Sequence, residues 1–192
     1  DGNGILYCVT TEHTIETPLF KGSLFRALNA TDGTEIWTLN GYVGEFWQNS
    51  FAIADGYATT FNGLDNRIYS IGRGPSQTTV AAPNLGAASG QSVLISGSVT
   101  DIATGTTQNE QAGRFPNGVA ASSDASMKDW MGYVYQQKPL PTNFTGVEVV
   151  INVVDANGNF RTIGTAQTDA TGQYSLAWKP DIAGKYTVIA TF

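Results

Sequence analysis

The sequence predicts an all-β protein built in two parts, and three observations carry that prediction. With 22 Gly and only 14% charged residues among 192, the chain is turn-rich and weakly charged, the profile of many short strands. Short β-branched and aromatic runs alternate with Asp-Gly, Asn-Gly, Thr-Gly and Ala-Gly pairs, which are hairpin signals because these residues tolerate positive φ. And nothing between Gly4 and Gly74 keeps a 3.6-residue apolar period.

In the first part, "GILYCVTTE" is a strand of β-branched and aromatic residues, and "SLFRALNA" alternates with Leu24, Ala27 and Leu28 on its apolar positions. "TEIWTLN" follows the turn Thr31-Asp32-Gly33. The theme then repeats: strand Phe51–Ala54, turn Asp55-Gly56, strand Tyr57–Phe61, turn Gly63–Asn66, strand Arg67–Ile71. Residues 76–92 have the small, Gly/Pro/Ser-rich make-up of a linker, with "TTVAAP" as an optional short extended strand inside it. Residues 1–75 and 93–192 are therefore the expected domains.

The second part predicts strands Val93–Val99, Val147–Val154, Arg161–Thr168, Tyr174–Trp178 and Tyr186–Phe192, with Gly132–Gln136 as a further candidate. An insertion, 106–145, separates the first of these from the rest. Ordered connections of that length usually carry function. Its "SSDASMKDWMGYV" reads as a short helical turn capped by Ser123 or Asp124. Its six large apolar residues, Phe115, Met127, Trp130, Met131, Tyr133 and Tyr135, predict an ordered, docked segment.

"LFRALNATDGTEIW" resembles the repeat of quinoprotein-type, PQQ-like β-propellers, with Leu24, Ala27 and Leu28 on the blade strand and Ala30, Gly33 and Trp37 at the turn and tryptophan anchor. The spacing of the two matching halves is close to the roughly 40-residue period of propeller blades. That resemblance covers about the first 75 residues and implies a partial propeller of about one and a half blades, where a closed wheel needs four or more. It also implies that Trp37 is buried where one blade meets the next. "GSVTD" with "TDATGQYSL" resembles immunoglobulin-like and carboxypeptidase-regulatory-like sandwich modules of prokaryotic, in particular archaeal, cell-surface proteins. Such sandwiches host many functions and name no chemistry.

Composition narrows the partners. A formal charge of −6 without any block of like charge lacks the basic footprint of a nucleic-acid binder, and no apolar run reaches the roughly 20 residues that span a bilayer. The single cysteine, Cys8, rules out an internal disulfide and reads as a buried small hydrophobe. The single histidine, His13, lies in the polar loop "TTEHTIETP" at no catalytic spacing. One His and one Cys cannot close a protein zinc site.

The remaining candidates are each weighed against a structural reading. Asp155, Asn157 and Asn159 alternate like the start of a calcium loop, but the twelfth position is Ala166, so a β-turn is the favoured reading. The carboxylate pairs Asp124/Asp129 and Glu12/Glu16 read as surface charge. Phe46, Trp47, Trp130, Tyr133 and Tyr135 are either core or an exposed platform for sugars or a partner, with core favoured. Asn29 and Asn143 open sequons for N-glycosylation.

The expected function is non-catalytic: an extracellular or cell-surface structural or adhesive element of a surface layer, filament or stalk. Its expected partners are other copies of itself or the rest of a longer surface protein, with glycans as a further class. No cofactor is expected beyond the calcium alternative. The competing readings are the C-terminal part of a quinoprotein-like dehydrogenase and a carbohydrate-binding module. The apolar end "YTVIATF" predicts an edge that residues beyond Phe192 or another chain must cover.

Overall fold

A computed structural model describes residues 4–10, 22–43 and 51–192. The chain divides into two compact units, Asp1–Arg73 with Gln136–Lys138, and Gly74–Tyr135 with Pro139–Phe192. Both are mostly antiparallel β-sheet, and none of the small sheets closes into a barrel among the described residues.

The first unit holds two three-stranded meanders. β1 (Ile5–Thr10), β2 (Leu24–Asn29) and β3 (Glu35–Asn40) form one; β4 (Ala52–Ala54), β5 (Tyr57–Asn62) and β6 (Arg67–Ile71) form the other. Turn chemistry fixes each register. Asp55 and Gly56 have φ of 51° and 80°, the two left-handed residues of a type I′ turn, so Ala54 pairs directly with Tyr57. The β2–β3 turn uses Gly33 at φ 74°, with its N–H bonded to the Asn29 carbonyl.

Strand alternation sends Phe25, Ala27, Trp37 and Leu39 to one face of the first sheet, where all four are buried. The second sheet turns Ala58, Thr60 and Asn62 toward the same interior. Phe25 stands edge-on to Phe51 and Tyr69, with centroids 5.5 and 6.2 Å away. Trp37, 8% exposed, lies 6.0 Å from Tyr7. Trp37 is therefore buried, as expected. Buried Asn62 joins the sheets through polar bonds: its Oδ1 accepts the Tyr42 and Leu64 N–H groups, and its Nδ2 donates to the Asn40 carbonyl.

The second unit is a pair of facing sheets. β7 (Ser76–Ala81), β8 (Val93–Asp101) and β12 (Gln173–Trp178) form one, in the order β12-β8-β7; β10 (Glu148–Val154), β11 (Phe160–Gln167) and β13 (Thr187–Thr191) form the other, in the order β11-β10-β13. Ile95 and Val99 of β8, Val147, Val149 and Ile151 on and just before β10, and Tyr174 of β12 make the shared core. Tyr174 lies across Gly97 of β8, its cross-strand partner, and its hydroxyl donates to the Thr79 carbonyl of β7 at 2.6 Å. One side chain thus links three strands.

Two hairpin-type corners of this unit share one solution. In "DANGN" and "DATGQ" the Asp N–H bonds the carbonyl of the fifth residue, and the Gly N–H bonds the Asp carbonyl. The Asp Oδ1 accepts the N–H groups two and four residues on. Gly158 and Gly172, at φ 84° and 77°, supply the left-handed residue that closes each turn.

Two sequence expectations need correction. Residues 76–92 are not a uniform linker, because Ser76–Ala81 is a strand paired with β8 from Ser76↔Asp101 to Ala81↔Ser96. Its exposed Ser, Gln and Thr side chains belong to an edge strand, whose outward face is polar. Gly132–Gln136 is helix rather than strand: it ends α2 (Met127–Gln136), which follows α1 (Asn109–Arg114) and the two-residue strand β9 (Val119–Ala120). Burial of Trp130 and Val134, one helical turn apart, outweighs the β-propensity of "YVY". The Ser123 hydroxyl donates to the Thr145 carbonyl instead of capping the helix.

Candidate interaction surfaces

The insertion is a small folded body with its own core of Val119, Ala120, Trp130 and Val134, flanked by Phe115, Tyr133, Tyr135 and Phe144. β9 ties it to β8 through Thr100↔Ala120 and Asp101↔Val119. Trp130 is its hub. Its indole N–H donates to the Ala120 carbonyl at 3.0 Å, and its ring stands 4.5 Å from Phe144 and 5.3 Å from Tyr133. Arg114 closes the C-terminal end of α2 by donating to the Tyr133 and Val134 carbonyls, both at 2.9 Å. Those are groups a helix end leaves without intrahelical partners. The same guanidinium lies 5.1 Å from the Phe115 and Tyr133 ring centroids.

This packing decides the aromatic platform. At 4% exposure, with its N–H satisfied, Trp130 offers no face on which a sugar could stack. Tyr133 and Tyr135 are half-buried beside it. Burial, helped by the nearby Asp101 carboxylate, pushes the Tyr135 phenol up to about 12. Asp101 is itself raised by burial, against a hydrogen bond from the Ala103 N–H that lowers it. Phe46 and Trp47 lie outside the described residues, as do Glu12, His13 and Glu16.

The calcium candidate Asp155 lies in a hydrogen-bonded turn. Asp155 Oδ1 accepts the Asn157 and Asn159 N–H groups, and Asn159 Nδ2 donates to both carboxylate oxygens. These bonds, led by the Asn159 side chain, hold the Asp155 carboxyl below its ordinary range. Both oxygens thus already serve the turn, and neither Asn157 nor Asn159 brings a second carboxylate. Asp124 and Asp129 are both exposed. Asn143 is exposed in the loop before Thr145, whereas Asn29 is half-buried and its Oδ1 accepts the Thr31 N–H within the sequon.

Three further surfaces are the outer faces of the two sheets in the first unit and the outer edge of β13. On the outer face of the first sheet lie Leu6, 51% exposed, half-buried Cys8 and Leu28, and Arg26. There Arg26 pairs with Glu35 at 3.2 Å and donates to Thr10 Oγ1 at 3.3 Å. On the outer face of the second sheet stand Phe61, 49% exposed, and Ile68, 74% exposed, paired directly across β5 and β6. The third is the outer edge of β13, which pairs with β10 on one side and with no strand on the other among the described residues. The apolar end "YTVIATF" signalled that edge. Phe61 and Ile68 gave no such signal, because either face of a short apolar strand can be the buried one.

None of the helices among the described residues is long and apolar enough to cross a membrane. No protein-family model, no curated protein and no solved structure matches the chain.

Proposed function

We propose that this chain is a non-catalytic structural or adhesive element of an extracellular assembly: a surface layer, filament or stalk. In this reading the first unit is a slice of a quinoprotein-type β-propeller, and the second is an immunoglobulin-like sandwich. The supporting observation is the edge of β13. The strands β12, β8, β7 and the short β9 against β11, β10 and β13 make the roughly seven usual in an immunoglobulin-like sandwich, and β13 keeps one edge with no strand paired to it among the described residues. In this reading a further strand adds along the unpaired edge of β13, whose Val188, Ile189 and Ala190 are half-buried. A strand from outside residues 1–192 fits there by backbone pairing, the mode in which main-chain bonds give affinity and alternate side chains give specificity.

Hydrogen exchange tests the reading on the chain alone and in its native assembly. The expected result is that the outward-facing amides of Thr187–Thr191 exchange quickly in the isolated chain and become protected in the assembly. Protease treatment of intact source cells should also cleave the protein. Equal exchange in both states, with no cleavage at the cell surface, refutes the proposal.

A further inference from the structure

The two sequons of this chain stand in different surroundings, and we propose that Asn143 carries an N-linked glycan while Asn29 does not. Asn143-Phe144-Thr145 lies in the irregular stretch between α2 and β10. Asn143 and Thr145 are both exposed, whereas Phe144 between them is half-buried, its ring 4.5 Å from that of Trp130. The middle residue thus anchors the sequon to the core of the insertion. The Asn and the Thr, the two residues that define the acceptor motif, are left on the outside. Thr145 is held by its backbone alone in the bonds that fix it. Its N–H donates to Ser126 Oγ at 2.7 Å, and its carbonyl accepts the Ser123 hydroxyl at 2.8 Å. Pro139, Leu140 and Thr142 upstream are exposed as well, so the approach along the chain is open.

Asn29-Ala30-Thr31 is closed on itself. All three of its N–H groups donate within the hairpin: Asn29 to the Thr34 carbonyl, Ala30 to the Gly4 carbonyl, and Thr31 to Asn29 Oδ1. The Asn29 side chain is half-buried at the end of β2. A bulky, hydrated glycan there has to displace a bonded hairpin, whereas at Asn143 it extends into solvent. This contrast holds whether the sugar is added before or after folding, because the modified chain must still reach the same fold.

The co-substrate is a sugar carried on a polyprenyl phosphate or diphosphate, delivered by a membrane transferase. Asn143 Nδ2 attacks the anomeric carbon, forming the C–N bond as the C–O bond to the phosphate breaks. The lipid phosphate leaves with the bonding electron pair, and one Nδ2 proton passes to a base of the transferase. Nothing is oxidised or reduced. This inference rests on the extracellular reading above, because such transfer takes place on the non-cytoplasmic side of a membrane.

Peptide mass spectrometry of the protein purified from its source cells tests it, with Asn143→Gln, Thr145→Ala and Thr145→Ser expressed alongside. The peptide holding Asn143 should carry an added sugar mass, and the peptide holding Asn29 none. The added mass should vanish in Asn143→Gln and Thr145→Ala and persist in Thr145→Ser, whose hydroxyl still completes the sequon. Both Thr145 changes keep the backbone bonds to Ser126 and Ser123, and the parent protein decides alone should a variant misfold. An unmodified Asn143 refutes the glycan, and where surface protease still cleaves the protein the extracellular reading stands. A glycan at Asn143 without surface cleavage upholds the site and counts against the surface assembly. A sugar on Asn29, or one that stays on Asn143 in Thr145→Ala, also overturns the proposal.

Discussion

Replacing Gly97 by alanine adds one methyl group at the point where three strands meet. The new Cβ would fall inside contact distance of the Thr79 carbonyl oxygen and about as close to the Tyr174 hydroxyl. The carbonyl cannot retreat cheaply, since β7 is paired to β8 throughout its length. The ring cannot swing away without breaking its 2.6 Å bond to that carbonyl. Overpacking of this kind costs about 1–3 kcal/mol, and a lost hydrogen bond about 0.5–1.5 kcal/mol. Against this, the loss of glycine's freedom in the unfolded chain returns about 0.4–1 kcal/mol. The expected net loss is therefore about 1–3 kcal/mol, read as a lower urea midpoint by circular dichroism. Tyr174→Phe with Gly97→Ala should cost less than the sum of the single changes, because both act on one contact. A Gly97→Ala midpoint equal to that of the parent chain would refute the close approach.

Three further outcomes follow from the packing and the ionisable groups. Trp37→Ala should cost about 3–5 kcal/mol and disrupt the first unit, while Val99 and Ile151 amides keep their exchange protection; an unchanged melting curve would contradict the burial of Trp37. Asp181, held at about 2 chiefly by the Arg161 side chain, against an ordinary 3.8, contributes stability above about pH 4. That contribution fades as pH falls toward 2, since a depressed folded pKa means the unfolded state takes up the proton first. Asp181→Asn should flatten that part of the acid-unfolding profile, and an identical slope would refute the pairing. One phenol should titrate near 12 by near-ultraviolet absorbance and vanish in Tyr135→Phe; a titration unaffected by that change would contradict its burial.

Hairpins were the most legible part of the sequence, because a turn is decided by two to five adjacent residues. Asp55-Gly56 and "DANGN" announce positive φ and a side-chain acceptor without reference to anything distant. The burial of Trp37 was expected from the resemblance of its stretch to a propeller repeat rather than from local turn chemistry. Ser76–Ala81 was only partly legible, as the optional extended strand "TTVAAP", because an edge strand beside β8 needs backbone pairing more than apolar side chains. The helix at Met127–Gln136 was obscured because Trp130 and Val134 find their partners in Val119, Ala120 and Phe144, which no local window contains. As for the candidate site, core was the favoured reading of the insertion's aromatics, and Trp130 is buried in one. Whether Trp130 faces solvent or a core depends on the Ala120 carbonyl reaching its N–H.

The independent core of the insertion bears on how the second unit folds. β8 and β12 pair through Ser98↔Gln173 and Val93↔Trp178, so the chain between them must be drawn into a loop before that sheet exists. Closing a flexible loop costs entropy that grows with its length, and contacts so distant in sequence slow the search for the native state. A segment that collapses first around Trp130, with the locally closed β10–β11 hairpin following it, shortens the flexible path to be closed. Order in the insertion then precedes sheet closure, and a chain whose insertion stays loose should refold more slowly even where its final stability is little changed.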